Sequence, residues 1–249
     1  MINDIKIALV MPAYNASKTL ESTYSEIPHD IVDYILLVDD FSNDDTFILA
    51  KQLKIQVHRH KKNMGYGANQ KTCYDLALKT DANIVIMLHP DYQYTPKLVR
   101  AMCSLIAEGA YDMVLGSRIL TGGALRGGMP LYKYVSNRII TLIENVFLGA
   151  KLSEYHTGYR VYHRKVLESI PYSTFSNDFI FDNQFLIEAI VCGIRIGEVS
   201  CPTKYFPEAS SINFQRSLRY GILCLWYSFI AGLKFLPKRF LISKPQLVN

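Results

Sequence analysis

Carboxylates in this chain gather directly after apolar runs. Asp39 and Asp40 follow the run at residues 34–38, and Asp91 follows the run at 84–88 within "LHPDYQYTP". Paired carboxylates at a strand end suit hydrogen bonding to a nucleotide base or ribose. Ser42, Asp44 and Asp45 stand where they would cap the following helix, which leaves the first pair available. Asp91 sits between His89 and Gln93. Mg2+ takes much of its octahedral shell from substrate phosphates and water, so one or two protein carboxylates suffice to hold it. A histidine nitrogen from His89 would tilt the preference toward Mn2+, and the Gln93 amide is a further oxygen donor.

These residues need a frame that delivers strand ends to one place. Apolar, β-branched runs at residues 6–11, 34–38, 55–59, 84–88 and 113–117 alternate with amphipathic stretches at 17–27, 45–53, 69–79 and 96–108. Thr95-Pro96 marks a helix start, with Thr as N-cap and Pro in the first turn. Repeated strand–helix–strand units predict an α/β fold: a mostly parallel sheet with helices on both faces. Ligands of such sheets bind beyond the carboxyl ends of the strands. After the fifth run "GSRILTGGALRGGMP" has no periodicity and reads as a long functional loop. A helix is predicted over 130–147, another around 182–192 and a strand near 195–201. "GYGANQ" lacks the third glycine of a dinucleotide fingerprint, so Gly67 belongs to a loop that lets backbone approach a ligand, or simply turns.

The chain has 249 residues, 49% hydrophobic and 20% charged, which suits one sizeable core and argues against disorder. A formal charge of +5 fits an anionic small molecule or a membrane surface and is too weak to imply nucleic acid. Five scattered cysteines with no CxxC pair suggest a reduced, cytoplasmic chain. "MINDIKIALV" has no basic leader and reads as a first strand rather than a signal peptide. His58 and His60 lie in the basic run "HRHKK", which reads as a solvated strand end rather than a zinc site.

The segments "MPAYN", "VDDFSNDDT", "HPDYQ", "GSR", "TGYRVYHR", "FDNQ" and "IGEVSCPTKYFPEASS", in this order, resemble glycosyltransferase family 2. The likeness is greatest to the dolichyl-phosphate mannose synthase and polyprenyl-phosphate glycosyltransferase branch. It implies a GT-A fold, Rossmann-like, over residues 1–214. It also implies inverting transfer of a hexose from a UDP- or GDP-linked donor, assisted by Mg2+ or Mn2+. Pro12, Ala13, Tyr14, Asn15 and Asp40 map to nucleotide contacts, with Asp39 and Gly67 beside them. Asp91 and Gln93 map to the cation site, where His89 replaces the first acid of a DxD motif. Arg118, Arg126, Arg160 and Lys204 are the cations available to the diphosphate or the acceptor; Lys204 stands where an arginine is common and keeps charge without the bidentate fork.

The acceptor decides whether a base is needed. A polyprenyl phosphate is already ionised, whereas a saccharide hydroxyl needs a carboxylate or imidazole in reach. Asp182 is the base candidate, although an acid in a first helical turn also favours the helix dipole. His156 stands where an aspartate is common before "TGFR". Polyprenyl phosphate is the expected acceptor, with transfer to a saccharide hydroxyl in glycan assembly, or non-catalytic nucleotide-sugar binding, as alternatives.

Residues 215–249 form a separate apolar tail. Its uncharged stretch from Tyr220 to Leu233 lies between Arg219 and the cations Lys234, Lys238 and Arg239. That is too short to span a bilayer. Three placements remain open: an interfacial helix peripheral on the inner membrane face, a contact between subunits, or a helix packed on its own domain.

Overall fold

The computed structural model describes residues 5–205 and 214–241. Chain order is β1 (Ile7–Ala13), α1 (Leu20–Ser25), β2 (Tyr34–Asp39), α2 (Thr46–Gln52), β3 (Gln56–Arg59), α3 (Tyr66–Leu78), β4 (Ile84–Met87), α4 (Val99–Ala107) and β5 (Met113–Ser117). Then follow α5 (Gly123–Arg126), α6 (Leu131–Leu148), β6 (Arg160–His163), α7 (Arg164–Ser169), α8 (Phe181–Val191), β7 (Ile196–Ser200) and α9 (Phe214–Leu241). The strands form one seven-stranded sheet in the order β3-β2-β1-β4-β6-β5-β7.

The central strands of the sheet are buried on both faces, as strands under two helical layers must be. Every residue of β1 and of β4 is buried. Alternate β1 residues feed opposite cores. Ala8 and Val10 join Tyr74 of α3 and Phe185 of α8, while Ile7, Leu9 and Met11 join Met102 and Ile106 of α4.

One element departs from the alternating pattern. Residues 160–163, within "TGYRVYHR", form β6, which runs antiparallel between β4 and β5. Its register pairs Arg160 with Met87 and with Leu115. An antiparallel strand begins where its parallel neighbours end, so the Thr157–Arg160 corner reaches the carboxyl edge beside His89 and Arg118. The expected long loop after β5 contains a short turn of helix, α5.

The tail is not a detached unit. α9 lies along α6 and α8, with Cys224 and Ser228 buried. A Cβ on Gly232 would come within 2.3 Å of the Phe147 carbonyl oxygen, so glycine permits the close approach of the two helices. Among the described residues no helix is long and apolar enough to cross a membrane. The expected domain boundary falls at the first residue of α9. The segment before it, with Phe206–Ser211 of the last motif, and the side chains of Lys238 and Arg239 lie outside the described residues.

Gly67 also serves close packing. A Cβ there would come within 2.4 Å of the Ser176 carbonyl oxygen and 2.8 Å of Phe181 Cβ. The backbone at Gly67 is thus approached by the chain's own 176–181 segment. Gly67→Ala should lower unfolding free energy by about 1–3 kcal/mol, the usual cost of overpacking, as read by urea denaturation. An unchanged midpoint would contradict this packing.

Candidate active site

The carboxyl edge opens into a cavity of about 710 Å³, with Asp91, Gln93, His89, Arg118, His156 and Asp182 among its lining residues. The segment after β4 brings His89, Asp91 and Gln93, the end of β5 brings Arg118, the segment before β6 brings His156, and the first turn of α8 brings Asp182. Asp91 follows β4 and is nearly buried; its Oδ1 accepts the Gln93 backbone N–H at 3.1 Å. Lys204 donates its backbone N–H to the Gln93 carbonyl at 3.1 Å and lays its ammonium 5.0 Å from the centre of the Tyr92 ring. It supports the segment after β4 from outside the cavity.

Asp182, in the first turn of α8, accepts hydrogen bonds on Oδ2 from the Tyr66 hydroxyl at 2.6 Å and the Gln70 amide at 3.2 Å. Its Oδ1 is buried without a hydrogen bond, 3.7 Å from Arg160 Nη1. Tyr66 was not singled out from the sequence; only its place in the glycine-rich loop could have flagged it. Its one hydroxyl proton goes to Asp182, so its oxygen accepts the proton of His89 Nε2 at 3.1 Å. The two rings stack at 5.4 Å. His89 is tied by Nε2 to tyrosine, which keeps its Nδ1 lone pair as a donor for a cation alongside Asp91 and Gln93.

Arg160 and Arg118 both turn inward. Arg160 is fully buried, donating to the carbonyls of Thr157 at 2.9 Å, Asp182 at 2.8 Å and Tyr155 at 3.3 Å. It is not among the cavity-lining residues and acts by positioning. Arg118 reaches the cavity but is bound to the buried Glu154 carboxylate, the His156 carbonyl and the Tyr205 hydroxyl. Burial alone would push the Glu154 carboxyl up, but Arg118 holds it below its ordinary range. Arg126 is exposed on α5 and is not among the cavity-lining residues.

A cation missed in the sequence takes that place. Lys133 of α6 lines the cavity, half-buried, and makes no ion pair with a described residue. Burial, then the Arg118 charge, lowers its pKa.

The nucleotide candidates lie along β1 and β2. Pro12 and Ala13 are buried in β1, and Tyr14 is half exposed. Asn15 has a φ of 52° and accepts the Asn43 N–H at its side-chain oxygen, 2.9 Å away. Asp39 accepts the Ser42 N–H and lies 3.0 Å from Arg59 Nε. Asp40 binds His60 Nδ1 at 2.7 Å and the backbone N–H groups of Met64 and Gly65 at 2.8 and 3.0 Å. These carboxylates also hold the neighbouring loops. His60 is thereby an Asp40 partner rather than a solvated strand-end residue.

No group of three or more His, Cys, Asp or Glu residues suited to a metal occurs among the described residues. Asp91 and Gln93 nonetheless fit a cation that arrives with a diphosphate, because such an ion needs few protein ligands.

Behind the cavity His156 and Glu144 face one another, Nε2 to Oε2 3.6 Å apart, and neither atom has a hydrogen bond. Glu144 also accepts from Asn183 of α8 at 2.6 Å and Ser228 of α9 at 3.2 Å. Burial raises its pKa from 4.5 to about 7. Burial, then the charges of Arg118 and Arg160 set against Glu154, lowers His156 from 6.5 to about 4. Its Nδ1 meets the Tyr220 hydroxyl at 3.0 Å. Glu144 is the one acid of α6; that isolation was its only sequence signal.

The chain belongs to glycosyl transferase family 2, whose profile matches residues 8–170. It is 26% identical over 219 residues to a UDP-N-acetylglucosamine–dolichyl-phosphate N-acetylglucosaminyltransferase of Methanococcus voltae, covering 81% of this chain and 87% of that one. It is 27% identical over 199 residues to the polyprenol monophosphomannose synthase of Mycolicibacterium smegmatis, covering 77% and 74%. Glucosyl-3-phosphoglycerate synthase of Mycobacterium tuberculosis, solved with Mg2+ and UDP, superposes with a TM-score of 0.71 at 17% identity, over 92% of this chain and 80% of that one. That likeness establishes the fold.

The raised Glu144 pKa has a sign. The folded state holds this proton more tightly than the unfolded chain does, so stability is full below about pH 4.5 and is lost as pH rises through about 7. The lowered His156 value acts oppositely, removing stability as pH falls from 6.5 toward 4. Glu144→Gln should therefore melt several degrees higher than the parent at about pH 9 and lose most of that advantage toward about pH 4.5. Parallel melting curves across this range would refute the assignment.

Proposed function

We propose that the protein transfers a hexose, with inversion, from a UDP- or GDP-linked donor to a polyprenyl phosphate. Asp91 and Gln93 would hold Mg2+ or Mn2+ against the donor diphosphate. The observation that carries the reading is the two-sided cavity. Its floor holds Asp91, Asp182 and Arg118, and its walls hold Ile139, Ile140, Leu218 and Leu225 of α6 and α9. A polar floor under apolar walls fits a phosphate on a hydrocarbon chain better than a saccharide. Two relatives are named for transfer to, or synthesis on, such lipids.

In this reading an acceptor phosphate oxygen bonds to the anomeric carbon while the bond from that carbon to the diphosphate oxygen breaks. The nucleophile is already charged, so no proton moves. Lys133, without an ion-pair partner among described residues, attracts the acceptor phosphate. Arg118 is largely neutralised by Glu154 and adds little net charge. The bound cation offsets charge on the departing diphosphate. The protein works at the cytoplasmic face of a membrane, where nucleotide-sugars and the lipid phosphate meet.

A second reading rests on Asp182 Oδ1, buried and without a hydrogen bond at the cavity floor. That oxygen would accept the proton of a saccharide hydroxyl. Turnover of Asp182→Asn separates the two acceptors. On a prenyl phosphate it should retain substantial activity, whereas a saccharide acceptor would require the base and show a loss on the order of a hundredfold or more. Melting temperature must be followed alongside, because Asp182 also anchors Tyr66.

Two ligand measurements complete the test. A thermal-shift panel of nucleotide diphosphates with Mn2+ should single out one base, since ligand binding to the folded state raises stability. Asp91→Asn should abolish the Mn2+-dependent gain in nucleotide affinity by calorimetry while leaving the fold intact; retention of that gain would remove Asp91 from the metal site.

A further inference from the structure

α6 and α9 run side by side in the same direction: Ile140 meets Gly221, Glu144 meets Ser228, and Phe147 meets Phe229 and Gly232. Each helix turns an apolar stripe outward. On α6 it is Leu131, Val135, Ile139, Leu142 and Val146, each between 45% and 67% exposed. On α9 it is Leu218, Ile222, Trp226, Phe229 and Leu233, between 40% and 61% exposed. Both follow the same spacing of four, four, three and four residues, which keeps side chains on one helical face. The stripes meet at the cavity mouth, whose lining includes Ile139 from one and Leu218 and Ile222 from the other.

We propose that this two-helix face docks on an anionic lipid bilayer, with the helices in its plane and the cavity mouth against it. The inference extends the lipid-phosphate reading above and rests on it. Charge selects the occupant. Among the described residues the two helices expose cations such as Arg138, Arg219 and Lys234, while the one acid, Glu144, is buried. A second copy seated symmetrically on this face would bring like charges together. Anionic headgroups would instead neutralise them, and Trp226 and Tyr227 suit the boundary between headgroup and acyl chain. In-plane docking also suits helices that are too short in apolar length to cross.

Trp226 is the sole tryptophan of the chain, so its fluorescence reports this face directly. Adding phosphatidylcholine vesicles that contain phosphatidylglycerol to the full chain should shift its emission to shorter wavelength. The protein should float with these vesicles, and high salt should weaken both effects. The double variant Leu142→Ser, Val146→Ser lies outside the cavity lining. It should keep its circular dichroism spectrum and its turnover of a short, soluble prenyl phosphate while flotation falls roughly tenfold or more.

Unshifted emission without flotation would overturn the proposal. So would emission already at short wavelength in a dimer that ignores vesicles, which would assign the face to a second copy. The two readings fail separately. Turnover of soluble prenyl phosphate without flotation removes only the docking face. Flotation without turnover of any prenyl phosphate supports the face and removes the acceptor.

Discussion

A buried guanidinium sets the geometry of this site. Arg160 opens the one antiparallel strand of the sheet and has no contact with solvent. A charge in that position is costly unless its donors are satisfied. Here they go to the carbonyls of Tyr155, Thr157 and Asp182, with the Asp182 carboxylate nearby. The loop before β6 and the first turn of α8 are thereby drawn to one point. Asp182 and His156 reach the cavity because the chain around Arg160 is held in place. The sheet carries the fold, and Arg160 aligns its carboxyl edge with the helices that close the cavity.

The polar interior is arranged so that few charges remain uncompensated. Glu154 offsets Arg118, and Asp182 lies beside Arg160. Glu144 has no Lys or Arg beside it among the described residues, and burial raises its pKa to about 7. It links α6 to Asn183 of α8 and Ser228 of α9. The helices that wall the cavity are thus tied to α8 through a carboxyl whose pKa burial raises.

Much of the frame was legible because parallel strands are continuous apolar runs. The segments 84–88 and 113–117 correspond to β4 (Ile84–Met87) and β5 (Met113–Ser117), and the predicted helix at 130–147 to α6 (Leu131–Leu148). β6 escaped notice because four residues, "RVYH", carry no period and begin on a charge. Its pairing is set by neighbours far away in sequence. Asp91 and Asp182 were legible as acids at element ends. Tyr66, Lys133, Glu144 and Glu154 were not, since their roles depend on partners that only the folded chain assembles. Arg160 was legible as important, but its sequence cannot distinguish a cation aimed at a ligand from one aimed at backbone carbonyls. Gly67 shows the same limit: close backbone approach was readable, but not whether a ligand or the chain approaches.

The replacement of an acid by His89 fits this network. A carboxylate in its place would leave a third negative charge near Asp91 and Asp182, and would compete with Asp182 for the single proton of Tyr66. The imidazole instead donates to the Tyr66 oxygen, allowing the hydroxyl to donate to Asp182. The substitution thus lowers the negative charge of the floor and keeps Asp182 hydrogen-bonded on Oδ2. A floor with less negative charge repels an incoming phosphate less, and Lys133 makes no ion pair with a described residue that would offset its charge. In the proposed reading, His89 in place of an acid and Lys133 in the cavity lining act in the same direction, toward an anionic acceptor rather than a neutral one.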